Sequence, residues 1–474
     1  MLPTIATGNV ASALPSGYDV ANSCKFNDGD SAYMHLTTGS SGNRRTFTFS
    51  CWYKRCTISN ATQSLLVGSS CESFIDIGSN DKLIVAMQDS GGSPSVTTNR
   101  VFRDVGAWYH ICIAVDTTQV TDTNRIKIFI NGTIIPVADL TVTAWPSSSE
   151  QATFNDGNKH QLGANCSPGQ YLDGYLAEVC LIDGQALTPT SFGEFDSDSP
   201  TIFKPIDVSG LTFGSEGWYL DFKDSADLGD DESGNTNDFT EVNFAATDQA
   251  TDTPTNNFCT MNSLDNYFQG STFSQGNLEV AMTTSGVESY NTSTFAVSKG
   301  KWYCEVKYPT ASAKIVTGVA SEISKAIGTV LANEEYTWAY EGENGNAKHD
   351  GNGVSYGNTY TTNDIISIAL DLDNNKLYFA KNGTWQNSGD PTSGATGTGA
   401  AHTVTAASLT RDGVYYFGSG KRHADTVTSQ WNFGGCPAFA ISSGNQDGNG
   451  YGNFEYAVPS LYYSLCSKNL AEYG

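Results

Sequence analysis

The chain has 474 residues, 25 Lys and Arg against 50 Asp and Glu, and a formal charge of −25. This balance excludes nucleic acid, whose phosphates need clustered cations, and an anionic membrane surface. The 48 glycines, 23 tyrosines and 23 phenylalanines, with no runs of Leu, Ala, Glu and Lys, exclude a helix-rich fold and point to an all-β chain of several domains.

The opening Met1-Leu2-Pro3-Thr4-Ile5-Ala6-Thr7-Gly8 has neither a basic nor an apolar region of the secretory kind. No apolar run approaches the ~18 residues of a membrane span, so no membrane insertion is expected. Eleven cysteines are scattered, and Cys51, Cys112 and Cys304 lie inside strand patterns. Buried thiols explain them better than a disulfide framework does, and folding in a reducing cytoplasm follows.

In chain order, residues 1–200 hold short strands at Cys24–Phe26, Phe47–Lys54, Ser64–Val67, Lys82–Met87, Trp108–Asp116, Ile126–Asn131, His160–Leu162 and Gly174–Ile182. Turn residues separate them, as in an antiparallel sandwich. Residues 201–275 read as an acidic, turn-rich connector without a core of its own, in which Gly217–Phe222 is strand-like and completes or bridges a sandwich. A second sandwich spans 276–440, with strands at Lys301–Tyr308, Asp364–Asp371, Lys376–Trp385, Tyr415–Gly418 and Gln430–Gly434, and a tail occupies 441–474.

One phrase occurs twice. Ile113-Ala114-Val115-Asp116 precedes Arg125–Ile130 and Asn131-Gly132, and Ile368-Ala369-Leu370-Asp371 precedes Lys376–Lys381 and Asn382-Gly383. Asn-Gly tolerates positive φ at both central turn positions and is the strongest short hairpin signal. The first spacing from Asp to Asn is four residues longer, so the repeat marks a shared architecture more than a recent copy.

Four motifs of residues 20–195 resemble a laminin-G-like, concanavalin-type lectin domain. They are Phe47–Lys54, Trp108-Tyr109-His110, the Asn131-Gly132 strand, and the run from Asp173-Gly174-Tyr175-Leu176-Ala177-Glu178-Val179 to Ile182-Asp183-Gly184-Gln185-Ala186-Leu187. The order Gly300–Val306, Ile368–Asp371, Leu377–Gly383 and Trp431–Gly434 resembles a SPRY domain. With the tail run Cys466-Ser467-Lys468-Asn469-Leu470, the whole is similar to a group of structural proteins of marine bacteriophages. The resemblance implies two concanavalin-type antiparallel β-sandwiches of jelly-roll kind in tandem, other virion proteins as partners, and an exposed place on the particle after folding in a bacterial cytoplasm. By analogy with such appendages it implies a homotrimer; with no fibrous repeat in the sequence, the chain either binds a separate anchor or docks directly through Met1–Tyr18 or the tail.

Catalytic sets are missing. Glycan hydrolases of this fold place alternate carboxylates on one strand, and the nearest runs are Glu341-Gly342-Glu343 and Asp371-Leu372-Asp373, the latter a strand end before the turn Asn374-Asn375. The six histidines, His35, His110, His160, His349, His402 and His423, have no zinc spacing, and no nucleophile elbow or phosphate loop occurs. No enzyme is expected. No cofactor is expected either, although calcium stays open at Asp227, Asp230, Asp231 and Glu232, against the reading of a solvated acidic loop. Ligand-binding candidates are Tyr340, Glu343, Asn344, Asn346, His349, Asp350, Tyr356 and Tyr360 in a Gly-rich stretch, and Trp385 at the rim; each aromatic could equally pack its own loop. Trp52, Trp108, Trp302 and Trp431 are expected in the core. The leading expectation is a non-enzymatic tail-fibre or adhesin-type protein that binds a host-surface glycan or protein receptor. The alternatives are a capsid or tail decoration protein that makes protein contacts and, last, a glycan-degrading spike.

Overall fold

The computed structural model describes residues 17–58, 61–87, 94–266, 270–284, 288–311, 314–323, 330–422 and 426–474. Most of the Met1–Tyr18 docking segment and His423 lie outside them. The chain is all-β, with Ser467–Tyr473 the α-helix among the described residues, and divides into two compact units after Thr255.

The first unit faces two antiparallel eight-stranded sheets. One runs Thr133–Ile134, Ile126–Ile130, Trp108–Asp116, Thr46–Arg55, Gly174–Asp183, Ser23–Phe26, Gln249–Ala250, with Trp218–Leu220 also on Gly174–Asp183. The other runs Leu140–Val142, Ser95–Val101, Lys82–Ala86, Phe74–Ile77, Gln63–Val67, Lys159–Leu162, Tyr33–Thr37, Thr240–Val242. Period-2 alternation builds the core: Phe47, Phe49, Cys51 and Tyr53 point inward to meet Leu65, Ile75, Ile77 and Val85. Each such side chain contributes about 1.5–3 kcal/mol when fully buried. Segment 185–215 covers the outer face of the first sheet, where Phe192, Val208 and Phe213 pack on Cys112, Cys180 and Tyr219. Phe203 stacks 6.1 Å from Trp52.

The stretch read as a connector divides at Thr255: residues 201–255 are part of this sandwich, and residues 256–275 belong to the second unit, where Thr272–Ser274 is an edge strand. Trp218–Leu220, Thr240–Val242 and Gln249–Ala250 pair with Gly174–Asp183, Tyr33–Thr37 and Ser23–Phe26. Asp252 locks it in place: its carboxylate sits 2.6 Å from Lys54 Nζ and accepts the Trp108 indole N–H at 3.1 Å, with both charged side chains buried. Local sequence reads this stretch as a loop because its strands are two or three residues long and are held by partners up to 235 residues away.

The second unit has a nine-stranded sheet running Thr272–Ser274, Glu279–Met282, Val427–Asn432, Lys301–Thr310, Ile365–Asp371, Lys376–Lys381, Thr384–Trp385. His402–Thr403 joins Lys376–Lys381, and Tyr463–Ser464 runs parallel to Lys301–Thr310. The facing six-stranded sheet runs Ser289–Thr292, Tyr416–Lys421, Ile315–Ala320, Thr337–Glu341, Asn346–His349, Asn352–Ser355. Residues 441–474 fold onto the outer face of the first of these, where Phe454 and Tyr462 pack on Tyr303, Ala369 and Tyr378.

Both Asn-Gly turns form as the sequence predicts. Asn131 and Gly132 have φ of 49° and 76°, and Asn382 and Gly383 have 48° and 79°. Each Asn side chain then accepts from the backbone N–H of a neighbouring strand, His110 in one case and Ile365 in the other, both at 2.8 Å. Trp52, Trp108, Trp302 and Trp431 are all buried. The cysteine reading needs one correction: Cys71 and Cys166 form a disulfide across 95 residues, while the other nine cysteines are buried, Cys51, Cys112 and Cys304 in strands as the pattern predicts. Two surface loops bring the bonded pair together, a proximity that spacing along the chain does not encode.

Candidate functional site

In the first sandwich the outer face of the second sheet carries half-buried aromatic and polar side chains. Ile75 and Ile77 enter the core, so Phe74 and Asp76 point outward; Tyr33 and His35 flank core Met34 and Leu36 in the same way. Tyr33, His35, Phe74 and the adjacent Tyr171 are half-buried. The Tyr33 ring lies 6.1 Å from His35 and 6.3 Å from Tyr171, with Lys159 Nζ 5.7 Å from its centre. The result is an aromatic and polar surface of the type that stacks on a ring and bonds its substituents.

Beside it lies a recess of ≈ 230 Å³ lined by Ser64, Val67, Cys71, Phe74, Asp76, Asn165 and Gln170. A β-bulge between Ser64 and Leu66 shifts the register that sets Ser64 opposite Asp76. The Cys71–Cys166 disulfide fastens two loops that border the recess. Asp76 is 5% exposed, and its Oδ1 has no hydrogen-bond partner; Asn165 Oδ1 has none either. Burial pushes the Asp76 carboxyl up to about 7, against the opposing bond with Ser64. The strand Phe74-Ile75-Asp76-Ile77 carries a legible signal, a lone acid at an outward position between two inward isoleucines. The sequence reading passed over this strand entirely.

The predicted ligand residues do not converge. Tyr340, Tyr356 and Tyr360 are buried between the sheets of the second unit around Phe379. The stretch read as a Gly-rich loop is the three strands Thr337–Glu341, Asn346–His349 and Asn352–Ser355, whose alternation sends Trp338 and Tyr340 inward. His349 stacks 4.8 Å from Trp338, with its Nδ1 3.0 Å from the Thr337 carbonyl. Asn344 is exposed and caps its own turn by accepting the Asn346 N–H at 3.0 Å. Glu343 and Asp350 are exposed, and Trp385 packs against the tail-covered cluster.

Four of the acidic residues, Asp231, Asp371, Asp373 and Glu341, are likewise engaged in holding the fold. Asp231 is buried and accepts the N–H groups of Tyr219, Ser233 and Asn237 at 2.8 to 2.9 Å, so it organises its own loop. Asp227, Asp230 and Glu232 are exposed, and no group of three or more metal-ligating side chains occurs among the described residues. Neighbouring carboxylates, Asp221 first, hold Glu232 above its ordinary range. Asp371 pairs with Lys301 at 2.9 Å and caps Asn374, while Asp373 accepts the Gly300 N–H at 3.0 Å. Glu341 is buried beside Arg422 and Lys348.

Two family models match separate parts of the chain. The family described as "Concanavalin A-like lectin/glucanases superfamily" matches residues 28–191, and the SPRY domain family matches residues 301–407. No curated protein matches the chain. Among solved structures, the SPRY domain of human HERC1 is 16% identical with a TM-score of 0.27, covering 36% of this chain and 93% of that one. Stonustoxin is 14% identical with a TM-score of 0.26, covering 37% of this chain and 27% of its own. A Bacteroides ovatus protein described as carbohydrate-binding is 13% identical with a TM-score of 0.34, covering 47% of this chain and 58% of its own.

Buried titratable groups give the molecule a pH signature. Burial raises Asp76, Asp173 and Glu178 to about 7 each, and lowers His110 to about 3 and His160 and His402 to about 4. A carboxyl with a raised folded pKa takes up its proton in the native state first, so acidification through 7 stabilises. A histidine with a depressed folded pKa lets the unfolded state bind protons first, so stability is lost as pH falls below about 6.5. We expect a gain of about 1 kcal/mol between pH 8 and 6.5 that levels off below, read by thermal unfolding. Combining Asp76→Asn with Glu178→Gln leaves three histidines opposing one carboxyl and turns the rise into a fall.

Proposed function

We propose that the protein is a non-enzymatic adhesin whose first sandwich binds a surface glycan through the outer face of its second sheet. The carrying observation is that face: half-buried Tyr33 and Tyr171 rings next to a recess that contains unpartnered polar atoms. Aromatic faces stack on sugar rings while convergent polar groups read the hydroxyls. The absence of catalysis belongs to the proposal and is supported by the structural engagement of Asp371, Asp373 and Glu341. A virion setting, with other virion proteins as partners and several copies multiplying weak sites, rests on domain order and the tail run alone.

The test is a glycan array with the full chain, followed by titration of the best ligand. Tyr33→Ala combined with Tyr171→Ala should weaken binding at least tenfold at unchanged thermal stability. Binding that survives this double change, or no glycan bound at millimolar concentration, overturns the reading.

A decoration role is favoured by a different observation. Strand Asn352–Ser355 is exposed throughout at the edge of the six-stranded sheet, and its Val354 is 70% exposed. Such an edge adds a partner strand readily. A chain lying flat across particle subunits by cryo-microscopy, with that edge at the contact, would select this reading.

A further inference from the structure

We propose that the recess between Asp76 and Asn165 is a subsite for a protonated primary amine, and that the glycan it selects is an amino sugar with a free amine. The inference rests on the glycan reading of the same face and adds the chemistry of the group that enters.

The two buried orphaned atoms lining the recess, Asp76 Oδ1 and Asn165 Oδ1, are both acceptors. A neutral sugar hydroxyl has one hydrogen to donate and satisfies only one of them. An ammonium has three donors and no acceptor, which is the complementary set. Charge points the same way. Among the described lining residues Asp76 is the one titratable side chain, and none is Lys or Arg. A carboxylate buried without a cation is costly, and a bound ammonium supplies the missing charge together with a charge-assisted hydrogen bond. A volume of ≈ 230 Å³ admits the amine and the edge of one sugar ring, while the remaining rings extend over Tyr33 and Tyr171.

The test compares three probes on the full chain by calorimetry: a glucosamine trimer, the corresponding N-acetylglucosamine trimer, and cadaverine. The glucosamine trimer should bind at least tenfold more tightly than its acetylated counterpart. Asp76→Asn, which keeps the shape, should erase that preference and leave the acetylated trimer unchanged. Asn165→Asp should retain or sharpen the preference, which guards against a folding defect in the first variant. Equal binding of the two trimers, sensitive to the Tyr33 and Tyr171 changes, overturns the ammonium inference and leaves the glycan reading standing. Cadaverine binding that matches the glucosamine trimer overturns the sugar assignment and, with it, the glycan reading of this face.

Discussion

Asp252→Ala should lower the stability of the full chain by about 3–5 kcal/mol, the usual cost of breaking a buried pair from one side. Lys54 and Asp252 have 0% and 2% exposed side chains, and the same carboxylate accepts the buried Trp108 indole N–H. Removing it leaves an ammonium in the interior beside a strand at the centre of the first sheet. The deficit is read by chemical denaturation of the first unit's transition. Lys54→Met combined with Asp252→Leu should recover much of it, because an apolar pair needs no neutralisation. A single Asp252→Ala variant within 1 kcal/mol of the parent, measured in the same way, would show that the pair does not hold this stretch.

Glu305→Ala should release the tail from the second unit and cost about 3 kcal/mol or more, since each buried donor left unmade costs about 1–3 kcal/mol. The Glu305 carboxyl is fully buried and accepts the Tyr303 hydroxyl at 2.9 Å, the Asn432 side chain at 3.2 Å, and the N–H groups of Glu455 and Tyr456 at 2.9 and 2.8 Å. Asp447 fixes the far end of the same segment by accepting from Ser464 and Asn469. Limited proteolysis should then cut within residues 441–460 of the variant and spare the parent, while Glu305→Gln, which keeps an acceptor, falls between. Equal protease resistance of Glu305→Ala and parent would mean that the apolar contacts of Phe454 and Tyr462 suffice.

These two anchors expose a design common to both units. Each sandwich has one sheet whose outer face is roofed by a segment lying C-terminal to the Asn-Gly hairpin. In each, an aromatic ring of that roof sits on the turn glycine: a Cβ on Gly132 would lie 2.4 Å from Phe203, and one on Gly383 would lie 2.6 Å from Tyr456. Glycine is thus required at both positions twice over, for positive φ and for close approach. In the first unit this roof covers the outer face of the sheet that contains Trp52 and Cys112.

The long central strands Thr46–Arg55, Trp108–Asp116, Gly174–Asp183, Lys301–Thr310 and Ile365–Asp371 were legible because alternating large apolar residues between turn signals have a local cause, the pleat. The strands missed, such as Tyr33–Thr37, Phe74–Ile77 and Asn346–His349, are short and mix apolar with polar residues. The candidate site was illegible for a related reason. Aromatic and acidic residues in a Gly-rich stretch look like a binding loop, and only the inward turn of Tyr340, Tyr356 and Tyr360 reveals them as core.

By itself the sequence determined the all-β class, the order of the two sandwiches, the paired hairpins and the buried fate of the strand tryptophans, because each follows from periodicity or turn chemistry within a few residues. Only the tertiary structure decided that the acidic stretch completes the first sandwich, that the tail roofs the second, and that Asp76 and Asn165 share a recess. Those outcomes depend on contacts between residues roughly 90 to 240 positions apart, where burial and the satisfaction of polar groups select among many chain paths.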